Sequence, residues 1–199
     1  MKKTPQHFKR LSVKQVIDKT LGSSKTVFSP LAISATESLD DDFTTVDFSF
    51  KENPDGKIIS IKASKGKGFI DGLFNGMHER FRDDYPSLLK LKLTEFMVNP
   101  IMSLSKASMG TDAQASVVFK IDVDQFGASE FEHQSRSMIY SAYVTTLEAF
   151  QFYINCERAF DKIKFALGDA QQRNRSDTIQ SCIYDLSKLT EVNSYEKKK

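Results

Sequence analysis

Twice along this chain a hydrophobic period of two gives way to a helical period, and that repetition limits the folds open to it. In the first copy Val27, Leu31, Ile33 and Ala35 sit on one side of an extended segment, where Pro30 marks an edge position or a break. The acidic run Asp40, Asp41, Asp42 is a turn. Val46, Phe48 and Phe50 then alternate with Thr45, Asp47, Ser49 and Lys51 as a half-buried strand. Asn53, Pro54, Asp55 and Gly56 predict a hairpin into a third strand holding Ile59, Ile61 and Ala63. Ile70, Leu73, Phe74, Met77 and Phe81 follow as a helical stripe.

The second copy opens with Leu89, Leu91 and Leu93 alternating against Lys90, Lys92 and Thr94, then a long polar connection over 99–114. Val117, Phe119, Ile121 and Val123 form its middle strand, and the turn Asp124, Gln125, Phe126, Gly127 leads to a short third strand with Phe131 and His133 on one face. The helix that follows carries Ile139, Ala142, Tyr143, Thr146, Phe150 and Tyr153, then Cys156, Phe160, Ile163 and Leu167, to Gly168. Each copy has an apolar face to cover, so pairing them is the economical solution. The expected fold is α+β: two βββα units packed together, over 25–85 and 86–167, with added N- and C-terminal helices. The N-terminal segment, 1–24, holds a helix drawn from Ser12, which has capping-box spacing with Gln15, and Gly22 stops it. The segment 168–199 holds a helix from Asp177 to Leu189 and a charged tail, expected to be mobile, that ends in three lysines.

Composition narrows the function classes. The 28 Lys and Arg against 26 Asp and Glu leave a formal charge of +2, too small a field to imply nucleic acid as a partner. No apolar run is long enough to imply a membrane span, and MKKTPQHFKRL lacks the apolar stretch of a secretory signal, so a cytoplasmic location is expected. Cys156 and Cys182 read as reduced packing residues. His7, His78 and His133 have no second ligand at metal-binding spacing, so neither a metal nor a cofactor is expected. Sixteen Phe and no Trp predict a phenylalanine-rich core. No nucleophile elbow, phosphate-binding loop or zinc signature is present, which argues against an enzyme.

Three short segments carry candidate chemistry. In KGKGFIDG, Gly66 and Gly68 fall between a strand and a helix start, where unpaired N–H groups can hold a carboxylate or phosphate. The other reading is a tight turn with exposed Lys65 and Lys67, preferred on this feature alone because Gly-x-Gly is common. Asp71 lies in the helix's first turn and offsets its dipole. Thr111 and Asp112, in MGTDAQ, read as an Asx or ST turn, and Glu130 and Glu132 as part of a solvated strand face.

Taken in order, these segments resemble the C-terminal allosteric and dimerisation domain of 2-isopropylmalate synthase, shared with citramalate synthase. GKGFIDGLFNGM is similar to that family's GxGPxDAxxxAI, MGTDAQASVVFKI to its GxDAxxxVxV strand, and SRSMIYSAYVTTLEAF to its STDIIxASxxAYLNAL helix. The likeness covers about residues 25–155. It implies a domain that binds an end-product branched-chain amino acid, leucine or isoleucine, forms a homodimer, and feeds back on a catalytic barrel. No counterpart of that barrel is found in this chain, so no condensing activity is implied for it alone. By the resemblance the effector-binding positions are Gly66, Lys67, Gly68 and Asp71, then Gly110, Asp112 and Ala113, then Ser135 and Ser137. Phe69 stands at the family's Pro, Gly72 at its Ala, and Ser137 at its Asp or Asn. A second reading is an assembly module that has lost the effector and only joins a partner subunit.

Overall fold

The computed structural model describes residues 5–101 and 114–195, with the side chains of 5–7 and of Gln125 outside the description. Its order is α1 (Pro5–Leu21), β1 (Val27–Ser38), β2 (Phe43–Asn53), β3 (Lys57–Gly66), α2 (Phe69–Phe81), β4 (Leu91–Ile101), β5 (Gln114–Val123), β6 (Ala128–Ser135), α3 (Met138–Gln172) and α4 (Ser176–Leu189). The strands form two antiparallel three-stranded sheets, β1-β2-β3 and β4-β5-β6, each followed by a helix. The fold is α+β with two βββα units, as the periodicity implied.

The units share an irregularity that no hydrophobic pattern announces. Pairing of β1 with β2 skips Leu31, between Pro30 opposite Phe50 and Ala32 opposite Ser49. Pairing of β4 with β5 skips Thr94 in the same way, between Leu93 opposite Ile121 and Glu95 opposite Lys120. A bulge at the same place in both first strands increases the local twist of each edge. Opposite them, Val46, Phe48 and Phe50 of β2 correspond to Val117, Phe119 and Ile121 of β5, all at 3% exposure or less. Pro30 is tolerated because β1 is an edge strand.

A further bulge separates the units. Ile61 pairs with Phe48 and Ser64 with Val46, so two residues, Lys62 and Ala63, oppose Asp47. Ala63 takes φ +55° and donates its N–H to the Asp47 carboxylate at 2.6 Å. The side-chain alternation flips there. Ala63, expected on the buried face with Ile59 and Ile61, is exposed, and Ser64 and Gly66 face α2 instead. β6 has no such bulge, and His133 pairs with Val117 on the face of Phe131.

One core joins the inner faces of both sheets to α2 and α3. It is phenylalanine-rich: Phe74 of α2 meets Phe150 of α3 with ring centroids 5.0 Å apart, and Phe28 of β1 stacks on Phe81 at 5.4 Å. The Tyr143 hydroxyl donates to the Ser49 carbonyl at 2.6 Å, next to the β1 bulge. A second core lies between α1, the C-terminal half of α3, and α4, with Val13, Val16, Ile17, Cys156, Ile163 and Leu189. The 35 residues of α3 run through both, and the expected division at 167/168 falls inside that helix.

Several local expectations are corrected. Ser12 is not a cap: it lies inside α1 and its hydroxyl donates back to the Lys9 carbonyl at 2.8 Å. Leu89 is not in a strand but in a 3-10 turn, Pro86–Lys90, and is 57% exposed. The expected polar connection after residue 98 begins later, since Asn99, Pro100 and Ile101 pair with β5. Beyond α4 the chain stays packed, with Val192, Asn193 and Tyr195 buried, while 196–199 lie outside the described residues.

Candidate functional site

The first predicted segment is the turn from β3 into α2. Gly68 is the N-cap residue of α2 in extended conformation, and a Cβ added there meets nothing within 4 Å. Gly66 is the opposite: a Cβ would lie 2.2 Å from the Gly72 amide nitrogen, so only glycine permits this approach of strand to helix. The Asp71 carboxylate accepts the Lys67 N–H at 3.0 Å and thereby takes up a donor that an external anion would use. Ser64 secures the turn from below, its buried hydroxyl donating to the Gly72 carbonyl at 2.7 Å. At Gly72, where the family has Ala, a Cβ would meet Val46 Cγ2 at 2.7 Å. Helix α2 sits too low on β2 for a side chain there.

The third segment is the corresponding turn from β6 into α3. The Ser137 hydroxyl accepts the Tyr140 N–H at 3.2 Å as N-cap, and Ser135 Oγ accepts the Ser137 N–H at 3.1 Å. Ser135 Oγ also lies 2.8 Å from Ser141 Oγ. These serines therefore serve one another and the helix start. Gly110, Asp112 and Ala113 lie outside the described residues. Gly66, Lys67, Gly68 and Asp71 are brought together at the first turn, Ser135 and Ser137 at the second.

The periodicity did not single out a cavity of about 220 Å³ between α1, the start of β1, β6 and α3. Arg10 and Lys14 line it from α1, Phe131 from β6, and Glu148, Gln151 and Phe152 from α3. The guanidinium of Arg10 lies over the Phe131 ring, 4.7 Å from its centroid, and donates to the Glu130 carbonyl. Glu148 has His133 Nδ1 at 3.9 Å. Burial lowers the pKa of Arg10 and raises that of Glu148, more strongly than their mutual attraction acts in the other direction. Among the described residues no ion pair joins these two side chains, which lie in one partly buried space. At the inner end Asn155 is buried and grips Thr26, accepting its N–H at 2.9 Å and donating to its carbonyl at 2.8 Å. The one signal in the sequence was Arg10 ahead of the apolar stripe of α1, a cation on a helix whose start had been placed too late.

Among the described residues no group of three His, Cys, Asp or Glu is placed to hold a metal ion. Both cysteines are buried free thiols, and burial pushes the pKa of Cys156 up. No described helix is long and apolar enough to cross a membrane. Comparison with family models and with curated proteins finds no match for this chain.

Proposed function

We propose that this chain is a regulatory domain of the kind found in 2-isopropylmalate synthase, one that binds a branched-chain amino acid, forms a homodimer, and acts on a catalytic barrel in feedback control of branched-chain amino-acid biosynthesis. On this reading it works in the cytoplasm and performs no condensation itself. The observation that supports it is the duplication: two βββα units bulged at the same point of their first strands, with the first and third resembling segments at strand-to-helix turns. Each unit has a helix start behind its last strand, a setting in which a carboxylate is favoured.

A second reading is an assembly module without an effector. It is favoured at the two turns by Asp71 on the Lys67 N–H and by Ser135 on Ser137 N–H. A thermal-shift series separates the two. If the sensor reading holds, leucine at about one hundred times its Kd stabilises by about 2.7 kcal/mol, a rise of about 5–10 °C in Tm, while glycine has no such effect. A transition unmoved by millimolar leucine, isoleucine and valine selects the assembly module.

A further inference from the structure

We infer that the cavity between α1, β6 and α3 is a binding site for a small apolar α-amino acid, with the ligand carboxylate on Arg10 and Lys14 and its ammonium group on Glu148. The inference rests on the sensor reading and moves its ligand away from the glycine turn. Three observations carry it.

Arg10 and Glu148 line the cavity without an ion pair between them, whereas Asp18 and Lys25, also in its lining, are paired with each other. Among the described residues Arg10 makes no ion pair with Glu148; its contacts are the Glu130 carbonyl and the Phe131 ring. A guanidinium has five N–H donors, so several remain for an incoming carboxylate. Among the described residues Glu148 is paired with the His133 imidazole at 3.9 Å, and its oxygens remain able to accept from an ammonium group. A zwitterion placed between them gives each a charged partner from the ligand. A ligand of one sign satisfies one and leaves the other without such a partner in a partly buried space, which is unfavourable.

Alongside polar Thr26, Glu132, Gln151 and Asn155, part of the remaining lining is apolar, where a side chain would sit. Phe131, Phe152 and Ile17 form that part of the wall. At about 220 Å³ the space is smaller than the roughly 300–1,000 Å³ typical of drug-sized ligands, so it suits a molecule of few heavy atoms.

The site also has a route to the rest of the fold. Its walls belong to α1, β1, β6 and α3, and α3 continues through both cores. Gln151 accepts the Phe28 N–H at 2.8 Å and Asn155 holds Thr26, so the cavity floor is tied to the first strand of the first unit. Occupancy adds contacts between α1 and α3 beside those they already make in the second core.

The test is calorimetric titration of L-leucine, with L-isoleucine, L-valine, L-methionine and L-phenylalanine beside it, into the full chain and into Arg10→Gln, Glu148→Gln and Gly68→Val, with circular dichroism to confirm each fold. Isoamylamine and 4-methylpentanoate serve as leucine analogues lacking the carboxylate and the ammonium group. The expected result is saturable binding of an apolar amino acid, weakened about tenfold or more by Arg10→Gln and by Glu148→Gln, kept in Gly68→Val, and not competed by either analogue. Glu148→Gln is about half exposed and nearly isosteric, so it reports even if Arg10→Gln fails to fold. Leucine binding that survives both cavity variants and is lost in Gly68→Val overturns the cavity while leaving the sensor reading intact. Binding of methionine or phenylalanine but of no branched-chain amino acid, with the same dependence on Arg10 and Glu148, supports the cavity and overturns the branched-chain assignment. Absence of binding by all five overturns both.

Discussion

A methyl group added at Gly66 would lie 2.2 Å from the Gly72 amide nitrogen and 2.7 Å from the Asp71 carbonyl carbon, both backbone atoms that cannot swing aside. Gly66→Ala is therefore expected to cost about 3 kcal/mol or more in urea denaturation, while Gly68→Ala, in open space with extended backbone, stays within about 0.5 kcal/mol of the wild type. Equal effects at the two positions would contradict the close-approach role. The sequence placed the glycines and Asp71 at the helix start, and the dipole argument for Asp71 agrees with its bond to Lys67 N–H. Which glycine is obligatory depends on the height of α2 over the sheet, and no local pattern encodes that. His78 gives a second prediction at this scale. Its ring packs between Phe74 and Phe150, each about 5.1 Å away, and burial lowers its pKa below the ordinary 6.5 despite a hydrogen bond to Leu91 that acts the other way. With the folded pKa depressed, the unfolded chain binds the proton more readily. The contribution of His78 is complete above about pH 6.5 and is lost as pH falls through the folded value. His78→Phe keeps the aromatic contacts and removes the titration, so its stability should fall less than wild type between pH 7 and pH 5. Parallel pH profiles would contradict this.

The strands whose inward residues form an uninterrupted triplet were legible: Val46, Phe48 and Phe50 in β2, and Val117, Phe119 and Ile121 in β5, all emerge buried. Their neighbours were less so. A bulge adds a residue to one strand and turns the alternation over, and Leu31, Thr94 and Ala63 owe their places to pairing with a distant segment. Leu89 and the start of α1 were misplaced for a related reason, since a short apolar alternation and a capping pair each have a second structural meaning. The cavity was hidden because its residues come from four elements far apart in sequence. Helix α3 is tied to the entry of β1 through Asn155, whose side chain pairs with both backbone groups of Thr26. Asn155→Ala leaves a buried N–H and a buried carbonyl without partners and is expected to cost about 2–4 kcal/mol. Asn155→Asp keeps only the acceptor and should restore little of it. A loss below about 1 kcal/mol in Asn155→Ala would show that this clamp does not hold β1 to α3.

At the scale of the whole chain, two units and two cores are joined by one helix, α3, which is common to both cores. The proposed reading also calls for a second copy. Phe96, Met138 and Ile139 are 46%, 50% and 45% exposed, apolar surface that pairing would cover. Light scattering at micromolar concentration should return twice the chain mass of 22.5 kDa, and a mass that stays at the single-chain value would contradict the homodimer. Sequence resemblance reached this level through three ordered segments, while the architecture rests on the periodicities alone. The claim on which the rest depends is that this fold senses a branched-chain amino acid. Its most direct measurement is the equilibrium titration of leucine and isoleucine into the wild-type chain: the account expects saturable binding of one or both at one site per chain, and no binding of either up to millimolar concentration would contradict it.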